Sequence, residues 1–242
     1  MQTAEAAWKE IVKPQDVVAI KYNQLGGPTI RTRQEVIDIC IAAAKKSGVA
    51  KDKIIPYAKA QDVPECWKGW GEEQKFGNTK GTRLGNILAK GATCLINLPV
   101  VKTHSNNGFT CALKNHMGSN DNPREFHPWD AAVGPMWENI GYLNAIPAIK
   151  DKTRLIIADA TRPLYNGGPG DKPEFRWDYH TLVFGIDPVA VDRVCLDIVD
   201  EKRKTSGLPP ADLGRKSIEF AGKLGVGNYD LSKIDIIKIV LG

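Results

Sequence analysis

The chain is short of several things. No apolar stretch approaches the roughly 18–20 residues that cross a bilayer, which argues against a membrane span. There is no extended basic run and no zinc-finger pattern, so nucleic acid is not expected as a partner. The five cysteines (Cys40, Cys66, Cys94, Cys111 and Cys195) are odd in number, widely spaced and without a CxxC pair. That argues against a disulfide framework and against an iron–sulfur cluster or zinc site held by this chain. Histidine is scarce, with 4 in 242 residues. No targeting segment follows Met1, and a soluble chain is expected.

What is present looks globular. Hydrophobic residues make up 42%, charged residues 25%, and the net charge is +5, an ordinary composition for a folded domain. The length suits one large α/β domain, with two intimate lobes as the alternative. Residues 1–242 are taken as a single domain.

Helix and strand patterns alternate. Thr3 caps a short amphipathic helix to Ile11, and DVVAIKYN (Asp16–Asn23) is a buried strand. A helix from about Arg33 to Lys46 stops at Gly48. KIIPYA is a second strand, and Gln61–Lys80 is a long irregular loop. Thr82–Lys90 is a helix ended by Gly91, and TCLINLPVV (Thr93–Val101) is the clearest buried strand, with Asn97 its single amide. MWENIGYLNAI is a helix, followed by strands TRLIIADA and TLVFGID. Asp187-Pro188 starts a long helix with an N-cap/N1-proline signature. A further helix and a last apolar strand, IDIIKIVLG, close the chain. This is an α/β fold with a mostly parallel sheet and helices on both faces.

In such folds ligands sit beyond the carboxyl ends of the strands, and three segments have that address. KYNQLGGPT follows the first strand. Gly26 and Gly27 let backbone amides approach a ligand, and the helix beyond, flanked by Arg31 and Arg33, is an anion-binding end; a plain tight turn is the competing reading. Lys21 and Asn23 end that strand. GIDPVAVD offers Asp187 as a ligand contact or, more simply, as a helix cap, with Asp192 as a solvated or salt-bridged helix residue. HSNNGFTCALKNHMGSNDNPREFH (His104–His127) holds three of the four histidines.

That third segment carries the chemistry. The strand delivers Lys102, Thr103 and His104 to its end. Thr110 caps a helix, TCALKNHMG, with Lys114 one turn in and Asn115 beside it. The positive end of the helix dipole disfavours an ammonium there, leaving a more available amine. His104 and His127 flank it as proton carriers or metal ligands. His116 points to a different side of the helix from Lys114 and is expected to serve structure. The expected cleft therefore has His104, Lys114 and His127 as catalytic residues. Lys21, Asn23, Gly26, Gly27, Lys102, Asn115 and Asp187 contact an anionic or small-molecule ligand, and His104 and His127 are the candidate metal ligands.

AIKYNQLGGPT, INLPVVKTHSNNGFTCALKNHMGSNDNP, AIKDKTRLIIADA, GGP and FGIDPVAVDRV, in this order, resemble the family called domain of unknown function 362, from about Val17 to Gly207. Some members of that family are fused to ferredoxin-type domains. Others are exported with a twin-arginine signal, and KNHMGSNDNP and GIDPVAVDRV are most similar to those. The resemblance implies export, with a cytoplasmic location as the alternative, and a protein partner such as a redox complex. A weaker similarity is to lactate-racemase-like enzymes, which carry a His, a Lys ten residues later that tethers a nickel-pincer nucleotide, and a further His that ligates nickel. His104 and Lys114 are ten apart, and His127 follows thirteen later. A metal ion or a nickel-type organic cofactor is what that similarity implies.

Overall fold

The computed structural model of the protein describes residues 3–75, 81–126 and 135–241. Helix α1 (Ala4–Ile11) is capped by Thr3, whose hydroxyl accepts from Ala6 N at 3.2 Å. Strand β1 (Val18–Tyr22) then crosses to the parallel strand β2 (Ile54–Tyr57) through helix α2 (Gln34–Lys46). A small separate hairpin, β3 (Trp70–Gln74) and β4 (Thr82–Gly85), comes next. It occupies part of the expected irregular loop. It also replaces the helix expected over Thr82–Lys90, of which only a wide turn at Ile87–Gly91 remains. Gly85 sits against Ala60, where an added Cβ would come within 2.5 Å of that side chain. Close packing of the hairpin has overridden helical periodicity.

Strand β5 (Cys94–Leu98) lies on the other side of β1, in register from Val18↔Cys94 to Tyr22↔Leu98. Every residue of β5 is buried, as its apolar run demands. Pro99 has no N–H for the ladder, so the expected strand divides there and resumes as β6 (Val100–His104). This turns back as β7 (Gly108–Thr110). The long strand β8 (Thr153–Leu164) runs parallel to β5 and then to β6, and β9 (Thr181–Gly185) pairs antiparallel with β8. The sheet order is β2-β1-β5-β8-β6-β7, with β9 on β8. The sheet is mostly parallel, and the fold is α/β.

Alternation along the strands sorts the two faces. Val18, Ile20, Cys94, Ile96 and Leu98 pack against α1 and α2. Ala19 and Leu95 face the other way. There they meet α3 (Ala112–Asn115), α4 (Met136–Ala145), α5 (Pro147–Lys150), α6 (Pro188–Thr205) and α7 (Asp212–Lys223). The chain passes from β1 to one neighbour through α2 and returns on the other side as β5. The strand order therefore reverses between β1 and β5, which is the ligand-binding address in open α/β sheets. The apolar end of the chain departs from expectation: residues 234–241 form no strand, and 235–241 stand exposed.

Candidate functional site

At that reversal Lys21 of β1 lies beside Asn97 of β5. Helix α3 covers them, and polar side chains from three elements hold it there. Asp192 of α6 accepts from Ala112 N at 2.6 Å and Leu113 N at 3.2 Å. Asn97 Nδ2 donates to Ala112 O at 3.0 Å, and Asn144 Nδ2 donates to Leu113 O at 2.8 Å. Asp192 is thus buried and caps α3 from outside, where sequence suggested a solvated or salt-bridged residue. Thr110, expected as the cap, is part of β7, and its hydroxyl is buried without a partner. Burial raises the Asp192 carboxyl to about 7, while the two amides it caps oppose the shift.

Held this way, Asn115 becomes the hub of an amide network. Its Nδ2 donates to Asn97 Oδ1 at 2.7 Å and to Lys21 O at 3.3 Å. Its Oδ1 accepts from Asn23 Nδ2 at 3.2 Å and Lys21 Nζ at 3.4 Å. Lys102 Nζ, arriving from β6, donates to Asn23 Oδ1 at 3.0 Å and to Leu25 O. Lys21 Nζ also donates to Tyr22 O at 2.8 Å and stands 5.7 Å from the centre of the Tyr57 ring. Over it passes Gly118, where a Cβ would come within 2.5 Å of Ala58 O. Only glycine lets the chain run this close.

Lys21, Lys102 and Lys114 are 2%, 0% and 7% exposed. Among the described residues no carboxylate lies within ion-pair distance of any of them. Burial pushes Lys21 down to about 7, with the Lys102 charge adding to the shift and Asp62 opposing it. Burial, then the Lys114 charge, pushes Lys102 down to about 7. Lys114 falls to about 8 through burial alone, so desolvation rather than the dipole of a four-residue helix makes its amine available. Lys114 Nζ makes no hydrogen bond among the described residues.

His116 is fully enclosed. Its Nε2 stands 3.2 Å from Asn97 Nδ2, and since an amide nitrogen can only donate, the imidazole proton is on Nδ1. That atom is buried without a partner. Burial and the Lys21 charge push its pKa down to about 3, so at ordinary pH the ring stays neutral and keeps its single proton on Nδ1. Its place beside Lys21 and Asn97 was not legible from its spacing to Lys114.

The structure therefore gathers Lys21, Asn23, Lys102, Lys114 and Asn115, and adds Asn97 and His116. Asn97 had left a signal as the lone amide of a buried strand. His104 ends β6, buried, with Nδ1 accepting from Asn106 N at 3.1 Å. His127 lies outside the described residues. Gly26 and Gly27 follow the carbonyl that receives Lys102 and adopt φ of +117° and +89°. At Gly26 a Cβ would come 2.7 Å from Pro169 O, so the loop's shape requires glycine. By the same loop opens a cleft of about 330 Å³ walled by Arg31, Arg33, Asp159 and Arg162. Asp187 is engaged elsewhere. It caps α6 through Val189 N and Ala190 N, and its other oxygen accepts from Asn228 N at 2.7 Å. Among the described residues no group of three or more His, Cys, Asp and Glu is arranged to hold a metal ion.

Residues 43–197, more than half of the chain, match the model of the family described as domain of unknown function (DUF362). No curated protein and no solved structure matches the chain.

Proposed function

The chain belongs to the DUF362 family, and from that premise we propose that it is an enzyme acting on a small organic acid at the buried lysine cluster. The carboxylate of the ligand is held by Lys21, Lys102 and Lys114 together, and the Lys114 amine also gives or takes the proton. The observation that carries this is the set of three buried lysines with no carboxylate within ion-pair distance among the described residues. A buried charge without a partner is among the costliest features a fold can keep. An anionic ligand would supply the missing charge, and a general base works best with its pKa near the operating pH, the range into which burial brings these amines. His104, two residues beyond Lys102 on β6, stands at the end of the same strand as a second proton carrier. The arginines of the neighbouring cleft give the remainder of an acidic ligand a favourable surface.

The test is exchange of a carbon-bound proton with deuterated solvent, followed by NMR over a panel of 2-hydroxy and 2-oxo acids. Exchange is expected for at least one acid and should vanish in Lys114→Met. A folded protein that neither binds nor exchanges any of them would overturn the reading.

A second reading draws on the unpartnered Lys114 amine: a covalent tether for an anionic cofactor that the protein carries for a redox partner. Intact mass and metal analysis of freshly purified protein separate the two, since an adduct on Lys114 belongs only to the tether. Export belongs with the carrier and rests on the resemblance to exported members. A genomic reading frame that starts at Met1 would remove it.

A further inference from the structure

Away from the lysine site, two parts of the chain have unmet needs of the same kind. Among the described residues strand β9 pairs on one side only, with β8. One of its faces is covered by α6, where Val191 packs on Gly185 and Val183 joins the main core. The other face is bare: Leu182, Phe184 and Ile186 are 37%, 62% and 74% exposed. From Thr181 to Ile186 there is no charge and no proline, and the pairing with β8 has no bulge. Sheet edges normally carry such devices to prevent pairing with another chain.

The second part is the segment 234–241. Ile236, Ile237, Ile239, Val240 and Leu241 are 58–88% exposed, and residues 235–241 make no hydrogen bond among the described residues. This is a largely apolar sequence rich in β-branched residues, and among the described residues it has no strand to lie against. Its root is fixed: Asn228 N donates to Asp187 Oδ2 at 2.7 Å, and Asn228 Nδ2 donates to Lys233 O at 3.2 Å. The segment therefore leaves from beside the end of its own β9, yet leaves that edge unpaired.

We infer that residues 234–241 of one copy pair along β9 of a second copy, and reciprocally, to form a two-fold dimer. Each copy carries both the edge and the strand that satisfies it, which is the condition for a closed, isologous interface. Backbone pairing would satisfy the free edge, and alternate side chains of the added strand would cover Leu182, Phe184 and Ile186. Two such segments and the two edges receiving them would bury on the order of 1,600 Å², the standard size for a stable specific interface. The dimer does not depend on the proposed chemistry, because neither β9 nor the segment touches the lysine cluster.

Sedimentation equilibrium of the full chain tests this, combined with hydrogen exchange at two protein concentrations. The expected result is a dimer in which the amides of 235–241 are protected, with protection lost on dilution. Deletion of 234–241 and, separately, Phe184→Asp should each give a monomer with an unchanged circular dichroism spectrum. A full chain that stays monomeric, or a dimer that survives the deletion, overturns the proposal. Protection that is independent of concentration would mean pairing within one chain and overturns it as well.

Discussion

The same two strands present two different interiors. On β1 and β5, Ile20 lies beside Ile96 and, one residue later, Lys21 beside Asn97. Ile20 and Ile96 face α1 and α2 in an all-apolar layer. Lys21 and Asn97 face α3 in a layer of amides and amines, equally buried. Burial alone therefore does not distinguish a core from a site here. The apolar layer is stabilised by transfer from water and close packing. The polar layer is held by hydrogen bonds and, among the described residues, keeps three buried lysines without an ion-pair partner.

The largest effect should come from the apolar layer. Ile96→Ala is expected to destabilise by about 3 kcal/mol, as cavity-forming changes do, leaving binding of organic acids unchanged in whatever fraction remains folded. Asn97→Ala, one residue away, should cost about 2 kcal/mol, because Ala112 O, His116 Nε2 and Asn115 Nδ2 lose a partner together. Unlike Ile96→Ala, it should also abolish the ligand response. His116→Ala should follow Asn97→Ala in direction, contrary to its expected bystander role. Urea denaturation with and without ligand distinguishes the two layers.

A smaller effect per step, with a distinctive sign, is expected from pH. The folded-state values of Lys21 and Lys102 at about 7 and Lys114 at about 8 lie below the unfolded value of about 10.4. Between those limits the unfolded chain binds more protons, so stability must rise with pH. The contribution is greatest above about 10.4 and is lost as pH falls from there toward the folded values of about 8 and 7, at about 1.4 kcal/mol per pH unit for each lysine. Binding of an organic acid should run the opposite way, weakening above pH 8 as the amines lose their charge. The smallest effect should come from Thr110→Val, which removes a buried hydroxyl without a partner and should stabilise by up to about 1 kcal/mol.

Much of this site was legible because its residues stand where strand ends and loop glycines can be counted. Lys21, Asn23, Lys102 and Lys114 follow from two buried strands and the segment after the second. The two-residue period also marked Asn97 as the one amide in an apolar run. What was not legible depends on contacts distant in sequence. Asp192 reads as an ordinary helix residue until α6 is seen to deliver it to the first amides of α3, 80 residues away. The spacing of His116 from Lys114 presumes a regular helix, but α3 ends at Asn115 and the chain tightens into a 3₁₀ turn. The segment Thr82–Lys90 has helical spacing, yet its first half, Thr82–Gly85, is held as a hairpin strand. The closing apolar run has every strand signal and, among the described residues, no strand beside it.

The most direct measurement is the stability of Lys114→Met at pH 7, by urea denaturation, alone and with the organic acid that the wild type binds. Exchanging a buried, unpartnered amine for an apolar chain of similar length should raise the stability of the free protein by about 1 kcal/mol and eliminate the ligand-induced increase. A variant that is less stable than the wild type, or that still responds to the acid, would show that Lys114 serves the fold and would contradict the account.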